Sequence, residues 1–348
     1  MSKIVSYPDA IFAGSVLKDP THFPMTQYAI GVDLGGTNLR AASVGRNGVM
    51  LDQVSGATNI QAGREFVLRD IVQSIETLRS RRGGETLSGI GVGVPGFILM
   101  DQGLIVGATN MPEFDNFPMR DEIERRLGAK VILENDANAA ALGEKWMGAG
   151  RDVDNLVLLT LGTGIGGGII VNGRVLHGYL GMAGELGHIT VVPNGNPCGC
   201  GNIGCLEKHA SATAISAMAR LLNLGDDLTA EEVYRLAIGG NVRAISVFES
   251  MGAALGVALA NLINVFNFPL YLLSGGPLPA WDLFAPSMFV EVERRSFTYR
   301  NAGTYRNAGA SRGTRIERAT LGNQAGLYGA AYLPFQLDSV NETPRVDV

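Results

Sequence analysis

The sequence predicts an α/β protein of two similar lobes, and three observations carry that expectation. Short apolar runs alternate with amphipathic helical stretches along most of the chain. A unit of strand, glycine turn, strand and Asn-Gly turn occurs twice, about 130 residues apart. The 348 residues exceed one small core, at roughly 100 to 200 residues per domain.

The first unit starts as the apolar run Tyr28 to Asp33, stops at Leu34-Gly-Gly-Thr-Asn38, resumes over Leu39 to Val44 and turns at Asn47-Gly48. Leu68, Ile71, Val72, Ile75 and Leu78 then recur at helical spacing, opposite Arg69, Asp70, Glu76 and Arg79, ahead of a buried strand over Ile90 to Val94. An amphipathic stretch near Met119 to Leu127 leads into the strand Val131 to Leu133, and Asn135-Asp136 opens an Ala-rich helix over Ala137 to Met147. The second unit runs Leu156 to Leu161, Gly162 to Gly168, Ile169 to Val171 and Asn172-Gly173. A helix over Ser211 to Leu222, a buried helix over Met251 to Phe266 and a strand over Leu270 to Leu273 follow, ending at Ser274-Gly-Gly-Pro277.

Gly322, Ala325, Gly326, Gly329 and Ala330 suit a terminal helix, over Leu321 to Tyr332, that packs very close to a neighbour and bridges the lobes. The tandem Thr298-Tyr-Arg-Asn-Ala-Gly303 and Thr304-Tyr-Arg-Asn-Ala-Gly309 is too short for a solenoid unit and reads as a duplicated surface loop. The expected organisation is an N-terminal extension (1–26), a small α/β lobe (27–134), a large α/β lobe (135–320) with a metal loop (188–205), and a C-terminal helix returning to the small lobe, with a tail (321–348).

Composition narrows the function. With 46% hydrophobic residues, 18% charged residues and 47 Gly, the chain is globular and rich in backbone able to turn sharply or approach a ligand. A formal charge of −5 and the lack of a basic run leave no footprint for nucleic acid. The first 26 residues contain Lys3, Asp9, Lys18 and Asp19 and read as neither a secretory signal nor an anchor. Met251 to Phe266 is shorter than the roughly 18 to 20 residues of a membrane span. A cytoplasmic protein without a membrane partner is expected.

Gly162, Gly164 and Gly167 satisfy the letter of a dinucleotide motif, but a strand rather than a helix follows, and no Gly-x4-Gly-Lys-Ser/Thr is present. The two glycine turns instead expose backbone N–H groups and the hydroxyls of Thr37 and Thr163, suited to cradle a polyphosphate between two lobes. Taken singly, each turn reads equally well as a plain hairpin. Asp33, at the end of the first strand, either holds a magnesium ion through water or shapes the turn.

His188, Cys198, Cys200 and Cys205 form a Cys3His set with spacing suited to a structural zinc ion. His188 then leaves its second ring nitrogen facing outward near Glu185 and Glu207, and the three groups converge as a site for sugar hydroxyls; taken singly, Glu207 reads equally as a residue favouring the N-terminus of the following helix and Glu185 as a solvated loop residue. Asn135-Asp136 sits at a strand-to-helix junction, where either residue serves as an ordinary cap, while Asp136 opposite a polyphosphate also serves as base for an attacking hydroxyl.

These motifs, Asp33 to Thr37, Glu134 to Asn138, Leu161 to Gly168, Glu185 to His188 and Cys198 to Glu207, resemble those of the ROK family of bacterial sugar kinases and repressors, over about Tyr28 to Pro334. The resemblance implies the two-lobed actin-like ATPase (ribonuclease H-like) fold, with the active site in an interlobe cleft beside a zinc loop. It implies ATP held by Asp33, Gly35, Gly36, Thr37, Asn38, Thr163 and Gly164, with Gly275 and Gly276 near the nucleoside. It also implies a sugar held by Asn135, Asp136, Glu185, His188 and Glu207, with Asp136 as catalytic base. The cysteine pattern is similar to that of ROK glucokinases, so glucose phosphorylated at its 6-hydroxyl is the implied reaction. N-acetylmannosamine, allose and fructose kinases are the alternatives within the family. ROK repressors carry a winged helix-turn-helix ahead of the first lobe, where residues 1–26 include Pro20 and Pro24, so a repressor is disfavoured. A homodimer or homotetramer is expected.

Overall fold

The computed structural model describes residues 27–36, 38–58, 63–107, 112–305 and 313–341. Strands β1 (Gln27–Leu34), β2 (Asn38–Gly45) and β3 (Met50–Ala57) form an antiparallel meander. Helix α1 (Arg64–Ser80) crosses to β4 (Thr86–Val94), parallel to β1. A small hairpin of β5 (Phe97–Leu99) and β6 (Leu104–Val106), then α2 (Met119–Leu127), leads to β7 (Val131–Asn135), parallel to β4. The strand order is β3-β2-β1-β4-β7.

After α3 (Asp136–Trp146) the plan repeats. Strands β8 (Leu156–Leu161), β9 (Ile165–Val171) and β10 (Arg174–Val175) form the second antiparallel meander. Helices α4 (Glu207–Ala210), α5 (Ala212–Leu221), α6 (Ala230–Ile238) and α7 (Val242–Phe266) cross to β11 (Leu270–Gly275), parallel to β8. Helices α8 (Trp281–Arg295) and α9 (Phe297–Tyr305) lead to β12 (Arg315–Arg318), parallel to β11, giving the order β10-β9-β8-β11-β12. Both sheets therefore have the same order and strand directions, and the glycine turns occupy equivalent hairpins between their first two strands.

Helix α10 (Ala325–Asn341) ends the described chain. It packs on β1 and β4, while α3 packs on β8 and β9, so these two helices lie face to face between the sheets. The outer face of the first sheet is covered by α1 through Val67, Leu68, Ile71, Ile75 and Leu78, the apolar stripe legible in the sequence. Helices α5 to α8 cover the second sheet around Phe248, Leu255, Leu259, Phe284 and Met288.

The contact between α3 and α10 depends on absent side chains. A methyl group at Gly329 would fall 1.7 Å from the Ala139 carbonyl oxygen, and one at Gly143 would fall 2.0 Å from that of Ala325. Glu144, fully buried at the end of α3, accepts N–H bonds from Ala149 (2.9 Å), Thr320 (3.0 Å) and Leu321 (2.7 Å), tying α3 to the lead-in of α10. Gln336 in turn donates to the Gly173 carbonyl at 2.8 Å, so α10 also touches the second meander. Gly329→Ala is expected to cost about 2 to 3 kcal/mol through overpacking, read as a lower urea midpoint. An unchanged midpoint would contradict this close approach.

Two expectations are corrected. The first copy of the tandem hexapeptide is not a loop: it lies in α9, where Asn264 of α7 accepts hydrogen bonds from Ser296 Oγ and the Thr298 backbone N–H at the start of the helix. Most of the second copy lies outside the described residues, as do the N-terminal extension and the tail from 342 onward. The apolar segment Met251 to Phe266 belongs to a longer helix, α7, of 25 residues, long and apolar enough to cross a membrane by length and composition. Its most apolar window is 61% buried within the protein, against α8 among others, which identifies it as a core helix.

Candidate active site

The parallel strands bring their carboxyl ends to one edge of each sheet, the edge where open α/β sheets bind ligands. In the first sheet Asp33 pairs across to Gly93 and Gly93 to Glu134, with Asn135 one residue further on beside Val94. In the second, Leu161 pairs with Gly275. Between these edges lies a cleft of about 930 Å³, lined by Asp33, Gly35, Asn38, Asn135, Asp136, Gly164, Glu185, His188, Cys198, Cys200, Glu207, Gly275 and Gly276.

Most of the residues singled out in the sequence thus line one cavity. Gly36 is exposed, with open space where a side chain would stand. Thr163 faces a second cavity of about 660 Å³, lined also by Ile215, Tyr234, Arg235, Phe248 and Pro277, which shares Gly162 and Gly276 with the cleft. Cys205 is buried behind the cleft wall. Thr37 lies outside the described residues.

Asn135 caps α3: its side-chain oxygen accepts from the N–H groups of Ala137 (2.9 Å) and Asn138 (3.2 Å), while its amide donates to the Gly96 carbonyl at 3.2 Å. The capping reading therefore holds for Asn135. Asp136 is left at the first helical position, accepting from the Ala137 N–H at 2.8 Å and lining the cleft. Burial pushes its carboxyl up to about 6, and the Asp33 and Glu185 carboxylates add to the rise against the opposing Ala137 bond. Such a group changes protonation near neutrality, as a general base requires. Asp33 is also raised by burial, with Arg40 pulling it down from 3.8 Å.

The two glycine turns are tight, closed by Gly35 N–H to Asn38 O and by Gly162 N–H to Gly164 O, each at 2.9 Å. Gly275 has φ +109, and a methyl group there would lie 1.9 Å from the Leu161 carbonyl oxygen, so only glycine lets β11 end beside this turn.

On the opposite wall, His188 ends a single 3-10 turn (Leu186–His188). Its Nδ1 faces Cys198 Sγ at 3.6 Å, and its Nε2 lies 3.8 Å from Glu185 Oε2. Burial raises the Glu185 carboxyl and Glu207 raises it further, while His188 lowers it. Glu207, first residue of α4, accepts the Ile165 N–H through Oε2 at 3.1 Å, and the missing side chain of Gly164 makes room for that oxygen. The carboxylate thereby ties the cysteine loop to the second glycine turn, a link the sequence did not reveal.

The donor atoms of His188, Cys198, Cys200 and Cys205 all lie within 4.8 Å of one another. Cys200 Sγ and Cys205 Sγ are 3.7 Å apart, matching the edge of about 3.8 Å that tetrahedral zinc with 2.3 Å zinc–sulfur bonds requires. Burial pushes the Cys205 thiol up to about 12, a penalty on the thiolate that a bound cation would reverse. The Cys3His cluster predicted from spacing is present, and its chemistry fits zinc.

Sequence reasoning missed Arg40, whose guanidinium lines the cleft and donates to the Asn323 carbonyl at 2.6 Å. The strand period carried that signal, since Asn38 and Arg40 share one face of β2. It also missed His177 and the α6 side chains Tyr234 and Arg235, and it gave Glu134, quoted within a motif, no role of its own. Their positions depend on packing between segments far apart in the chain.

Comparison with known proteins agrees with the geometry. The ROK family model matches residues 29–336. A glucokinase of Halalkalibacterium halodurans is 39% identical over 91% of this chain and 97% of its own. A xylose repressor of Bacillus subtilis is 30% identical over 78% of this chain and 70% of its own. Among solved structures, a ROK family glucokinase from Streptomyces griseus in complex with glucose and AMPPNP is 32% identical, with a TM-score of 0.71 over 89% of this chain and 99% of its own.

Proposed function

The chain belongs to the ROK family, and we propose that it is a kinase that transfers the γ-phosphoryl group of ATP to a hexose, D-glucose at its 6-hydroxyl first among them. The observation that carries the proposal is the position of Asp136, with its carboxyl raised to about 6, in a cleft that also contains the glycine turns and the trio Glu185, His188 and Glu207. The glucokinase relatives and the glucose–AMPPNP complex of a similar protein support the choice of substrates.

In this reading Asn135, Glu185, His188 and Glu207 hold the sugar hydroxyls, and Asp136 accepts the proton of the attacking one. That oxygen bonds to the γ-phosphorus as the bond to the bridging β–γ oxygen breaks, releasing ADP. Backbone N–H groups of the two turns and the Arg40 guanidinium meet the charge that develops on the phosphates. The nucleoside occupies the second cavity, past Thr163 and Gly276. Asp33 would hold, through water, a magnesium ion accompanying the nucleotide, which would supply further charge neutralisation. His188 and the three cysteines would hold a zinc ion that cross-links the loop and orients the His188 ring, without acting on the reacting atoms.

A coupled ADP-release assay with ATP over glucose, mannose, fructose, allose, N-acetylglucosamine and N-acetylmannosamine tests the proposal. Glucose is expected to give the highest kcat/KM; a different winner would correct the substrate. Failure to release ADP with any of them would favour sugar binding without transfer. Because the base must be deprotonated, kcat/KM is expected to fall about tenfold per pH unit below about pH 6. A profile flat down to pH 5 would remove Asp136 from that role.

A further inference from the structure

We propose that Glu134 and His177 form a strut that sets the spacing between the catalytic turn at Asp136 and the loop bearing Glu185 and His188, making His177 a positioning residue for the sugar. The inference rests on the kinase reading above and extends it to a pair that touches neither the proposed sugar nor the phosphates.

Glu134 is 1% exposed, and a buried carboxylate is tolerated only where its oxygens are fully engaged. Its Oε1 accepts the Asn135 backbone N–H at 2.9 Å and Asn138 Nδ2 at 3.1 Å; its Oε2 meets His177 Nε2 at 2.8 Å. One side chain thus joins the turn ahead of Asp136, the first turn of α3 and a residue of the segment after β10. The Glu134 carboxylate favours the charged imidazole, raising His177 above its ordinary pKa, so that Nε2 carries the proton it donates.

His177 also holds the loop itself. Its carbonyl accepts the Ala183 N–H at 3.0 Å, closing the segment that leads straight into Glu185. Gly181 within that segment packs so closely on β5 that a methyl group would lie 2.5 Å from the Ile98 carbonyl oxygen. Asn138 Oδ1, buried without a hydrogen-bond partner among the described residues, lies 3.7 Å from where a side chain on Gly184 would begin. The underside of the sugar loop therefore rests on Glu134, Asn138 and His177. Loss of the His177 donor releases the loop at one end and leaves a buried carboxylate unpaired beside the base. Misplacement by about 1 Å at such a site costs on the order of 100-fold in rate.

The test compares His177→Ala with His177→Gln, whose amide can still donate to Glu134. Expected for His177→Ala are a hexose KM raised roughly 10-fold or more, kcat lowered roughly 10- to 100-fold and an ATP KM within about twofold of wild type, with His177→Gln recovering most of the loss. If His177→Ala is insoluble, His177→Asn, whose shorter amide stops short of Glu134, takes its place under the same criteria. Unchanged hexose parameters, equal shifts in both KM values, or a Gln variant no better than Ala or Asn would each overturn the strut while leaving the kinase reading intact. Absence of hexose turnover in the wild-type protein would instead overturn that reading, and the strut with it.

Discussion

Asp136→Asn is expected to lower kcat by about 10²- to 10⁴-fold, the range lost with a general base, while hexose affinity stays within a few-fold. The amide keeps the shape of the side chain and its contact with the Ala137 N–H, but cannot take the proton of a sugar hydroxyl. The same variant should be more stable than wild type at neutral pH. The folded-state pKa of about 6 lies above the ordinary 3.8, so the folded protein favours the protonated form. That contribution is fully present below about pH 4 and is lost as pH rises through about 6. At pH 7 and above the buried charge costs about 2 to 3 kcal/mol, which the amide removes. An inactive, more stable variant that still binds hexose is the expected outcome. Retention of most of the kcat would exclude Asp136 as the base, and a lower melting temperature would contradict its unfavourable burial.

Loss of the zinc ion proposed for the Cys3His cluster is the second large effect expected. Cys205→Ser, or extraction of the ion by a chelator, is expected to weaken hexose binding roughly 10- to 100-fold, because His188 loses the partner that orients its ring toward Glu185. Nucleotide binding, which the proposed reading assigns to the glycine turns and the neighbouring cavity, should change far less. Glu207 predicts a graded exception: since it ties the cysteine loop to Ile165, some slackening of the second glycine turn should follow. Titration calorimetry with hexose and with ATP on the metal-free protein separates the two. Undiminished hexose affinity in a folded, zinc-free protein would end the positioning role of the cluster.

Much of this architecture was legible before any coordinates. The helical stripe of α1 and the short apolar strands follow from periodicity, because burial on one face imposes a period on the sequence itself. The repeated glycine turn anticipated two sheets of equal plan, and the Cys3His spacing anticipated a cluster that the fold closes to metal-ligand distances. Failures arose where local pattern and tertiary packing disagree. The tandem hexapeptide carries loop-like Gly and Asn, yet its first copy is helical, capped through Ser296 and Thr298 by Asn264 from α7. The α7 helix extends beyond its nearly apolar run because its N-terminal turns bury Ala244, Val247 and Phe248 against neighbouring helices.

The sequence by itself determined which chemical groups are present and how each is held locally: a carboxylate beside the capping residue of a strand–helix junction, two glycine hairpins and four metal donors, three thiols and an imidazole. Only the tertiary structure decided that these groups face one another. That outcome depends on α3 and α10 meeting at glycine contacts and on Glu134, Glu207 and Arg40 spanning segments far apart in the chain. The reason is physical. Hydrogen bonding within a turn is settled by neighbouring residues, whereas Asp136 is raised first by burial that no single segment provides and then by carboxylates on other elements.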